Sequence, residues 1–575
     1  MPTVAESIVT ALAELGVTNV WGVVGDALNP VTDAIRREER LEWMGVRHEE
    51  AGAFAASAQA QLTGGLGVCM GTVGPGSIHL LNGLYDAKKS HAPVLALCGQ
   101  VPLADVGSDM FQEVNNDVLF ADVAEFCHTV SSPGQMPGLF EQAVQSALQH
   151  RGVAVLTLPG DVGGLDVPKG TPAPHITAIP RPVAPDGAAL DEAARLLDGA
   201  ETVTMLVGAG ARDARAEVLA LADRLAAPIV LTLKAKERLE DANVFEVGQS
   251  GLIGNPAARR ALDGGDVLLM VGTDFPYREW YPEGKTVIQI DARGEHIGRR
   301  TAVALGIVGD AQIAAAGLAE RVAAKSDRGH LDGARKDYVA WRERQARLTA
   351  PDADRGLLDK AREVFENPDR LIRPEALAAA VDRRAADDAV FTSDTGMSTV
   401  WLSRFVTLRG TRRLVGSYNL GSMANAMPQA LGAQALDRSR EVVAFCGDGG
   451  LTMLLGDLLT AVAHRLPVRI VVFDNGRLGM VKLEQEQGGL PEFGTVLHNP
   501  DLAAVARAMG LHAVRVEDPE GLDAAVEEAF AAEGPVLLDV VTNPDELSLP
   551  PKLEAGEAWG FAVAKIKETL ESRGA

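Results

Sequence analysis

The sequence predicts an α/β protein built from three doubly wound parallel-sheet domains. Short apolar runs alternate with helical patterns along most of the chain, and many of these runs end in glycine-rich turns. A proline-rich stretch near residue 175 and a polar, charged stretch at 324–373 separate three such regions. The length of 575 residues is sufficient for three or four domains.

The first region, residues 1–180, contains the apolar runs NVWGVVGD, LGVCMGTVGPG and APVLALCGQ. Continuous apolar runs of this length are typical of strands that helices cover on both faces. Prolines then become frequent, and they predict an extended linker between the first and second domains. These prolines are Pro168, Pro172, Pro174, Pro180, Pro182 and Pro185.

The middle region, residues 181–340, and the third, residues 341–545, repeat this alternation. The middle strands are predicted at TVTMLVGAG, APIVLTL, DVLLMVGTDF and TVIQIDA, and those of the third at AVFTSDTG, EVVAFCGDGG, VRIVVFDN and GPVLLDVV. The polar stretch at 324–373 is predicted to be a second connector, and residues 546–575 form a tail. The first and third regions share the same alternation of apolar runs and helical patterns, which predicts two copies of one architecture.

Composition excludes several classes of protein. The net charge of −24 argues against nucleic acid as a partner, because phosphate binding needs a basic surface. The four cysteines are widely spaced and form no Cys-x-x-Cys motif, so neither a disulfide framework nor a zinc site is predicted. The amphipathic N-terminus does not resemble a secretory signal, and no window is long and apolar enough to span a membrane. We therefore expect a cytoplasmic protein.

An acid and an amide follow two neighbouring strands of the third region. Asp448 stands in Gly-Asp-Gly-Gly after one apolar run, and Asn475 ends the next run, one strand–helix–strand unit further on. Because ligands bind at the carboxyl ends of parallel strands, both side chains are expected at one site. Their oxygens suit Mg²⁺, and the open backbone of Gly449 and Gly450 suits a diphosphate. The alternative is a tight turn with a capping asparagine.

The motif GDGG, followed after 24 further residues by Asn, is similar to the thiamin diphosphate signature of the superfamily of pyruvate oxidases, acetolactate synthases and decarboxylases. The resemblance covers nearly the whole chain and favours the pyruvate oxidases and pyruvate:quinone oxidoreductases. It rests on LEWMGVRHEEAGAFAA, GSIHLLNGLYDAKKSHAPVLAL, GQSGLIG, GTDFPYREWYP and GSYNLGSMANAMPQALGAQA. It implies the three-domain fold of that superfamily, with thiamin diphosphate, Mg²⁺ and FAD as cofactors.

The resemblance assigns roles at the thiamin site. Glu49 matches the glutamate that activates the aminopyrimidine ring; without the resemblance, an acid at a helix start is the simpler interpretation. Met423 would hold the cofactor in its bent shape, although a lone methionine is more often a core residue. The remaining thiamin-binding candidates are Gly74, Thr395, Gly396, Gly421, Ser422, Asp448, Gly449 and Gly450, and the metal ligands are Asp448, Asn475 and Arg477.

The resemblance also places FAD in the middle region. Taken alone, Gly208-x-Gly210 after a strand is a weak signal, because the third glycine of the dinucleotide fingerprint is missing. The stretches that match FAD-contacting segments are more specific. The FAD candidates are Gly208, Gly210, Gly251, Leu252, Ile253, Gly254, Thr273, Asp274, Phe275, Pro276, Tyr277, Asp291 and Asp310; a surface charge is the alternative for Asp310.

A few residues bear on the choice between an oxidase and a synthase. Phe111, Gln112 and Glu484 lie in segments that resemble the substrate side of the oxidases. Met480 stands where the oxidases usually have the phenylalanine associated with electron transfer, and its LGMV context is that of the synthases. The segment after it lacks the Gln-Trp-Gln motif of the synthases, and this favours the oxidase.

The predicted function is oxidative decarboxylation of pyruvate to acetate or acetyl phosphate and CO₂. Electrons would pass to FAD and then to a quinone or oxygen, as the resemblance implies. One alternative is a non-redox carboligase of acetolactate synthase type with a structural FAD, and another is a catalytically silent binding protein. The family builds its site between two subunits, so a homo-oligomer is expected, a tetramer of two tight dimers.

The tail has one helical apolar face, formed by Trp559, Val563, Ile566 and Leu570. Quinone-reducing relatives use such a tail to dock on the membrane. Here Glu557, Glu568 and Glu571 oppose binding to anionic lipid. We expect a helix packed on its own protein, with at most weak peripheral contact with the inner face of the cell membrane.

Overall fold

The computed structural model describes residues 1–177, 183–349 and 370–546. These residues contain three six-stranded sheets, and all strand pairs within each sheet are parallel. The strands of the first domain are β1 Asn19–Gly22, β2 Glu42–Gly45, β3 Gly67–Gly71, β4 Val94–Gln100, β5 Ala124–Thr129 and β6 Val153–Pro159. Those of the middle domain are β7 Val203–Val207, β8 Ile229–Leu231, β9 Glu246–Gln249, β10 Val267–Val271, β11 Thr286–Asp291 and β12 Leu305–Val308. Those of the third are β13 Val390–Ser393, β14 Arg413–Gly416, β15 Val442–Gly447, β16 Arg469–Asp474, β17 His512–Val516 and β18 Val536–Val541.

Helices connect and cover the strands, and together the elements confirm the predicted α/β class. In the first domain they are α1 Val4–Glu14, α2 Asn29–Arg37, α3 Glu49–Thr63, α4 Pro75–His79, α5 Leu81–Lys89, α6 Asn116–Leu119 and α7 Met136–His150. In the middle domain they are α8 Gly187–Gly199, α9 Arg215–Leu225, α10 Lys236–Leu239, α11 Pro256–Gly264, α12 Ala311–Arg321 and α13 Gly329–Leu348. In the third they are α14 Pro374–Arg384, α15 Met397–Phe405, α16 Ala426–Leu436, α17 Asp448–Met453, α18 Leu458–Ala463, α19 Gly479–Gln487, α20 Leu502–Ala508 and α21 Leu522–Ala531.

The first and third sheets have the same strand order. It is β2-β1-β3-β4-β6-β5 in the first domain and β14-β13-β15-β16-β18-β17 in the third, so corresponding strands occupy corresponding places. The middle sheet runs β12-β11-β10-β7-β8-β9. Counted within that domain, this is the order 6-5-4-1-2-3 of dinucleotide-binding folds. The duplicated rhythm in the sequence therefore corresponds to a duplicated topology.

The polar stretch at 324–373 is not simply a connector, which corrects the prediction. Residues 329–348 form the 20-residue helix α13, which lies against α11 and β9 of the middle domain. Leu331, Ala334 and Tyr338 are its buried residues, a narrow apolar face on an otherwise charged helix. Because so few positions of this helix are apolar, the helical periodicity of its apolar residues is weak, and the sequence did not indicate a helix here. Residues 350–369 and the tail from 547 onward, including the predicted helical face of the tail, lie outside the described residues.

The equivalent helices α3 and α16 join the first and third domains. Gly432 makes their close approach possible, because a Cβ atom there would lie 2.3 Å from the Ala55 carbonyl oxygen. Gln59 donates a hydrogen bond of 3.1 Å to the Gly432 carbonyl oxygen. Side chains of both domains form one apolar cluster around this contact. The two domains therefore share a core.

Buried charges join the middle domain to the third. Glu237 of α10 is almost completely buried; it accepts hydrogen bonds from the Arg413 side chain and from the backbone N–H of Leu414. Lys236 donates to Glu240 at 2.7 Å and to the Ser403 carbonyl oxygen at 2.9 Å. Buried charges with several partners require one relative arrangement of the two surfaces. Within the described parts of the chain, no helix is long and apolar enough to cross a membrane.

Candidate active site

Glu49 begins α3, directly after the edge strand β2. The side chain of His48 caps the helix by accepting from the Glu50 backbone N–H. Glu49 is buried, and its Oε2 lies 2.9 Å from Nδ1 of His79 in α4. The rings of His48 and His79 stack with their centroids 4.3 Å apart. The carboxyl group of Glu49 is thus bonded to His79, whose ring is stacked on His48, at the carboxyl end of the first sheet.

A glycine turn lies beside this carboxyl group. Gly74 has φ +68° and precedes α4, and a Cβ atom on Gly76 would lie 3.2 Å from Glu49 Oε1. The backbone of Gln112, itself at φ +67°, packs against Gly74. Phe111 points outward, and 80% of its surface is exposed. The first domain therefore brings Glu49, Gly74 and Gln112 into one region, with Phe111 at its rim.

In the third domain, Asp448 starts α17 immediately after β15 and is almost completely buried. Its Oδ2 accepts hydrogen bonds from the Gly476 backbone N–H at 2.9 Å and from the Asn499 side chain at 2.6 Å. Burial, together with the neighbouring Asp474 carboxylate, raises the pKa of Asp448 to about 7. In the described parts of the chain no Arg or Lys forms an ion pair with Asp448. A buried acid of this kind is stabilised by a bound cation.

The predicted thiamin-binding residues of the third domain lie around Asp448. Met423 contacts the loop, since a Cβ atom on Gly449 would lie 3.5 Å from its Cε. Gly421, at φ +77°, approaches Thr395, and Gly396 also has positive φ. Gly450 lies over Asp394, where a Cβ atom would come within 2.3 Å of the carboxylate. Ser422 donates to the Met423 carbonyl oxygen and accepts from Asn82 of the first domain.

Asn475 and Arg477 lie at the carboxyl end of β16, which pairs with β15. The Asn475 Oδ1 accepts from the Arg477 backbone N–H at 3.0 Å, so the two residues form a compact turn. Carboxylate, amide and backbone oxygens at two adjacent strand ends are the donor set that Mg²⁺ prefers. The residues present therefore fit a magnesium ion, with Asp448 as the charged ligand.

The middle sheet offers a crevice between β7 and β10, where its strand order reverses. Gly208 and Gly210 follow β7 and pack on Gly272 after β10; a Cβ atom on Gly208 would lie 2.4 Å from the Gly272 carbonyl oxygen. These glycines thus allow two loops to meet at the reversal point. A dinucleotide binds at such a point in related topologies.

The other FAD candidates form two contiguous loops. Gly251, at φ +93°, packs on the rings of Phe275 and Tyr277, and Phe275 meets Tyr277 edge to face with centroids 5.5 Å apart. The side chain of Ile253 contacts the core of the third domain. Leu252, Gly254, Thr273 and Pro276 lie in the same loops, and Asp274 pairs with Arg299 and Arg300 at 3.1 and 3.3 Å.

The two acidic FAD candidates differ in their surroundings. Asp291 ends β11, is buried, and accepts from the Arg293 backbone N–H at 2.9 Å. Asp310 caps α12 through Oδ1, which gives it a local structural role and leaves its contact with FAD a prediction.

Glu484 and Met480 lie on α19, in different surroundings. Met480 packs against the core of the third domain. Glu484 is exposed, and its charge contributes, after burial and Glu279, to raising the pKa of Tyr277. Glu484 therefore lies near the predicted flavin loops. In one chain, the structure groups the candidates into a first-domain set around Glu49, a third-domain set around Asp448, and a middle-domain set.

Comparison with known proteins identifies these domains. The N-terminal TPP binding domain, central domain and C-terminal TPP binding domain of thiamine pyrophosphate enzymes match residues 2–119, 190–318 and 394–540. The chain belongs to the thiamine pyrophosphate enzyme family. Thiamine pyrophosphate is the same compound as thiamin diphosphate, so the family agrees with the cofactor expected from GDGG and its asparagine.

Full-length relatives of this thiamine pyrophosphate enzyme include proteins of different activity. It is 35% identical to a protein described as thiamine pyrophosphate-containing, YdaP of Bacillus subtilis, over 99% of this chain and 97% of the relative. It is 32% identical to the pyruvate oxidase of Lactiplantibacillus plantarum over 99% and 93%. It is 29% identical to the acetolactate synthase large subunit of Corynebacterium glutamicum over 97% and 89%.

Sequence reasoning missed several residues of the site. His79 lies 30 positions from Glu49 and belongs to no motif with it. Asp394 is buried below Gly450, and burial raises its pKa to about 7. Asn499 contacts Asp448 from 51 positions away. Their side chains meet the site only through the fold, and no local sequence signal identifies them.

Proposed function

We propose that this protein is a pyruvate oxidoreductase. It would use thiamin diphosphate, Mg²⁺ and FAD to convert pyruvate into acetate or acetyl phosphate and CO₂, with a quinone or oxygen as the final electron acceptor. One observation carries the proposal: a sheet with the strand order of dinucleotide-binding folds lies between the two thiamine pyrophosphate domains. A pyruvate oxidase among the full-length relatives supports the same conclusion.

The first domain supplies a carboxylic acid for the thiamin ring. When bound, thiamin diphosphate supplies a carbon nucleophile and accepts the electron pair released with CO₂. Glu49 is buried and has His79 on Oε2, which holds its carboxyl group in one orientation. A carboxylic acid so held is suited to share a proton with a ring nitrogen, and an amide in the same place is not.

The third domain supplies the binding site for the diphosphate. Asp448, Asn475 and the Arg477 backbone carbonyl would hold Mg²⁺, and the loop at Gly449 and Gly450 would face the diphosphate oxygens. Met423 lies beside this loop and would support the cofactor from the third domain.

The middle domain would hold FAD along the loops that contain Gly251, Phe275 and Tyr277. These loops meet the third domain through Ile253, and Tyr277 lies near Glu484 of α19. A flavin held there would lie beside the part of the third domain that carries Met480 and Glu484. This arrangement suits transfer of electrons from substrate to flavin.

Two exposed apolar surfaces support a homo-oligomer, for which we propose a tetramer of two dimers. Phe111, 80% exposed, lies at the rim of the Glu49 region, and Phe493, 84% exposed, lies on the segment that follows α19 of the third domain. Other exposed apolar residues close to them in the sequence are Val106, Met110, Val118, Leu490 and Val496. Apolar patches at two complementary half-sites are typical of subunit interfaces. The two half-sites would complete one active site across the interface.

The test of the redox proposal is anaerobic mixing with pyruvate. The purified protein, reconstituted with thiamin diphosphate, Mg²⁺ and FAD, should be yellow, and pyruvate should bleach its flavin absorbance near about 450 nm, where flavins absorb. A control without thiamin diphosphate should stay yellow. A flavin that remains oxidised while pyruvate is consumed would contradict the oxidoreductase.

The second candidate is a carboligase of acetolactate synthase type. It is favoured by Met480 in its LGMV context and by the acetolactate synthase relative. In that case FAD would be structural, and acetolactate would accumulate from pyruvate without bleaching. Measuring acetolactate in the same anaerobic experiment separates the two candidates.

A further inference from the structure

We infer that Asn499 is a positioning residue for the metal ligand Asp448, and that it sets the affinity for the divalent cation. The inference rests on the proposed function, because it assumes that Asp448 binds the metal. The Asn499 amide nitrogen donates to Asp448 Oδ2 at 2.6 Å and to Asp474 Oδ1 at 2.9 Å. It therefore bridges two carboxylates, both of which are buried.

The chemistry of the bridge suits an amide. Two adjacent buried carboxylates repel each other, and each needs hydrogen-bond donors. An asparagine NH₂ group has two donor hydrogens and no charge, so it serves both acids without replacing a cation. The carboxylate partners also fix the orientation of the amide, since the opposite orientation would place its oxygen against both acids.

The bridge orients Asp448. Its Oδ2 receives two hydrogen bonds, from Asn499 and from the Gly476 backbone N–H. Two donors on one oxygen hold the carboxylate plane in place, so that the carboxylate would present Oδ1 to the metal ion. Residues outside the ligand set that orient a ligand in this way commonly contribute to metal affinity.

The backbone keeps Asn499 in register with the metal loop. The Leu478 N–H donates to the Thr495 carbonyl oxygen, and the Leu497 N–H donates to the Gly476 carbonyl oxygen, both at 2.8 Å. The segment 495–499 is thus bonded along the loop that holds Asn475 and Arg477. Asn499 is therefore attached to the site itself and is not a side chain of a separate loop.

The two acids have different charge partners. Arg515 Nη1 lies 3.3 Å from Asp474 Oδ2 and also bonds to Asp539. Asp474 thus has a cation from the protein, whereas in the described residues Asp448 has neutral donors only. The arrangement leaves Asp448 as the acid whose charge a bound metal ion would balance.

The experiment is a titration of the apo-protein with Mn²⁺ at a fixed excess of thiamin diphosphate, with free Mn²⁺ followed by electron paramagnetic resonance. Asn499→Leu keeps the branched shape at Cγ and removes the donors, and Asn499→Ser leaves a short polar group that cannot reach both acids. Each should raise the half-saturating Mn²⁺ concentration by at least about tenfold. The matched control is Asn243→Ser, at a buried asparagine with local hydrogen bonds in the middle domain.

The outcomes separate the inference from the proposed function. Wild-type protein that binds no Mn²⁺ with thiamin diphosphate would overturn the metal site, and the inference with it. Wild-type binding with unchanged affinity in both Asn499 variants would overturn the inference alone. If Asn499→Leu does not fold, as judged by circular dichroism, Asn499→Ser decides the question. An equal loss of affinity in Asn243→Ser would also overturn it, because the effect would then be general destabilisation.

Discussion

The first and third domains have the same strand order but carry different chemistry at the same places. After the second strand of each, the first domain has Glu49 at the start of α3, and the third has residues 421–423 before α16. After the third strand, the first domain has the turn 74–76, and the third has Asp448 and its glycines. The shared sheet topology determines where a site lies in each domain, and the side chains at the strand ends determine the chemistry of that site.

Because of this difference in side chains, the two domains would have different roles at the active site. Under the proposed function, the first would contribute the carboxyl group of Glu49 and its neighbouring histidines for proton chemistry, and the third would contribute acids and open backbone for a cation and a diphosphate. Because the two copies carry complementary parts, loss of either should abolish activity in a distinguishable way.

The largest effect on activity is expected from changing the carboxyl group of Glu49 in the first domain. Glu49→Gln should lower kcat by at least about 100-fold, because an amide cannot share a proton with the thiamin ring. Binding of thiamin diphosphate, measured by fluorescence titration, should change little. Glu50→Gln, at the next helical position, should keep most of the activity. Wild-type turnover in Glu49→Gln would mean that the first domain does not supply the catalytic acid.

The matching change in the third domain should act on binding. Asp448→Ala removes the proposed charged ligand, so the affinity for Mg²⁺ and thiamin diphosphate should fall by roughly 100-fold. Asp457→Ala is the control, because Asp457 is an equally buried acid nearby that accepts from the Arg47 backbone N–H. Isothermal titration calorimetry measures both. Unchanged cofactor affinity in Asp448→Ala would contradict the division between the domains.

The contact between the duplicated domains is tested by Gly432→Ala. The added Cβ would lie 2.3 Å from the Ala55 carbonyl oxygen, so the helices must separate, at about 1–3 kcal/mol in the free energy of unfolding. Gly138→Ala is the control in α7, where a Cβ atom meets nothing within 4 Å. It should be neutral or slightly stabilising. Equal urea midpoints for the two variants would show that α3 and α16 are not in close contact.

The smallest effect is expected on the pH dependence of stability, through Glu246 of the middle domain. Burial, with Glu240, raises the pKa of Glu246 from 4.5 to about 7. The folded state therefore binds this proton more tightly than the unfolded state, and stability is lost as pH rises from about 4.5 through 7. Glu246→Gln removes that loss and should stabilise the cofactor-free protein by on the order of 2 kcal/mol more at pH 8 than at pH 5.

Urea unfolding at both pH values measures the effect of Glu246→Gln. Exposed Glu201→Gln provides the reference difference. A gain for Glu246→Gln that is equal at pH 5 and pH 8 would show that Glu246 does not titrate differently in the folded state.

Most central strands could be predicted from the sequence, whereas several strands at the edges of the sheets could not. The strands β4 and β10 are buried throughout, and β16 is buried at every residue except Arg469, so their central residues are apolar. The edge strands β2, β5 and β12 are partly exposed and carry residues such as Glu42 and His128, which hide a strand pattern. Strand β6, also not singled out, is as buried as β4, and nothing physical separates the two.

The site shows a similar limit. Asp448, Gly449 and Asn475 stand at the ends of apolar runs. Because parallel strands place their carboxyl ends at one edge of the sheet, these residues can be predicted as site residues from the sequence. His79 and Asn499 reach the site from other elements, so only the packed fold brings them to Glu49 and Asp448. The predicted roles of all the site residues, including the FAD candidates and Met480, stay predictions.

The close contact of α3 with α16 has a consequence for motion. Backbones in contact at Gly432, within one shared apolar cluster, leave little room for sliding or hinging of the first domain on the third. Access to the site should therefore depend on its surface segments, residues 101–115 and 488–498, and not on domain opening. Relaxation experiments on the microsecond to millisecond scale would then detect exchange in these two segments while the helices stay rigid.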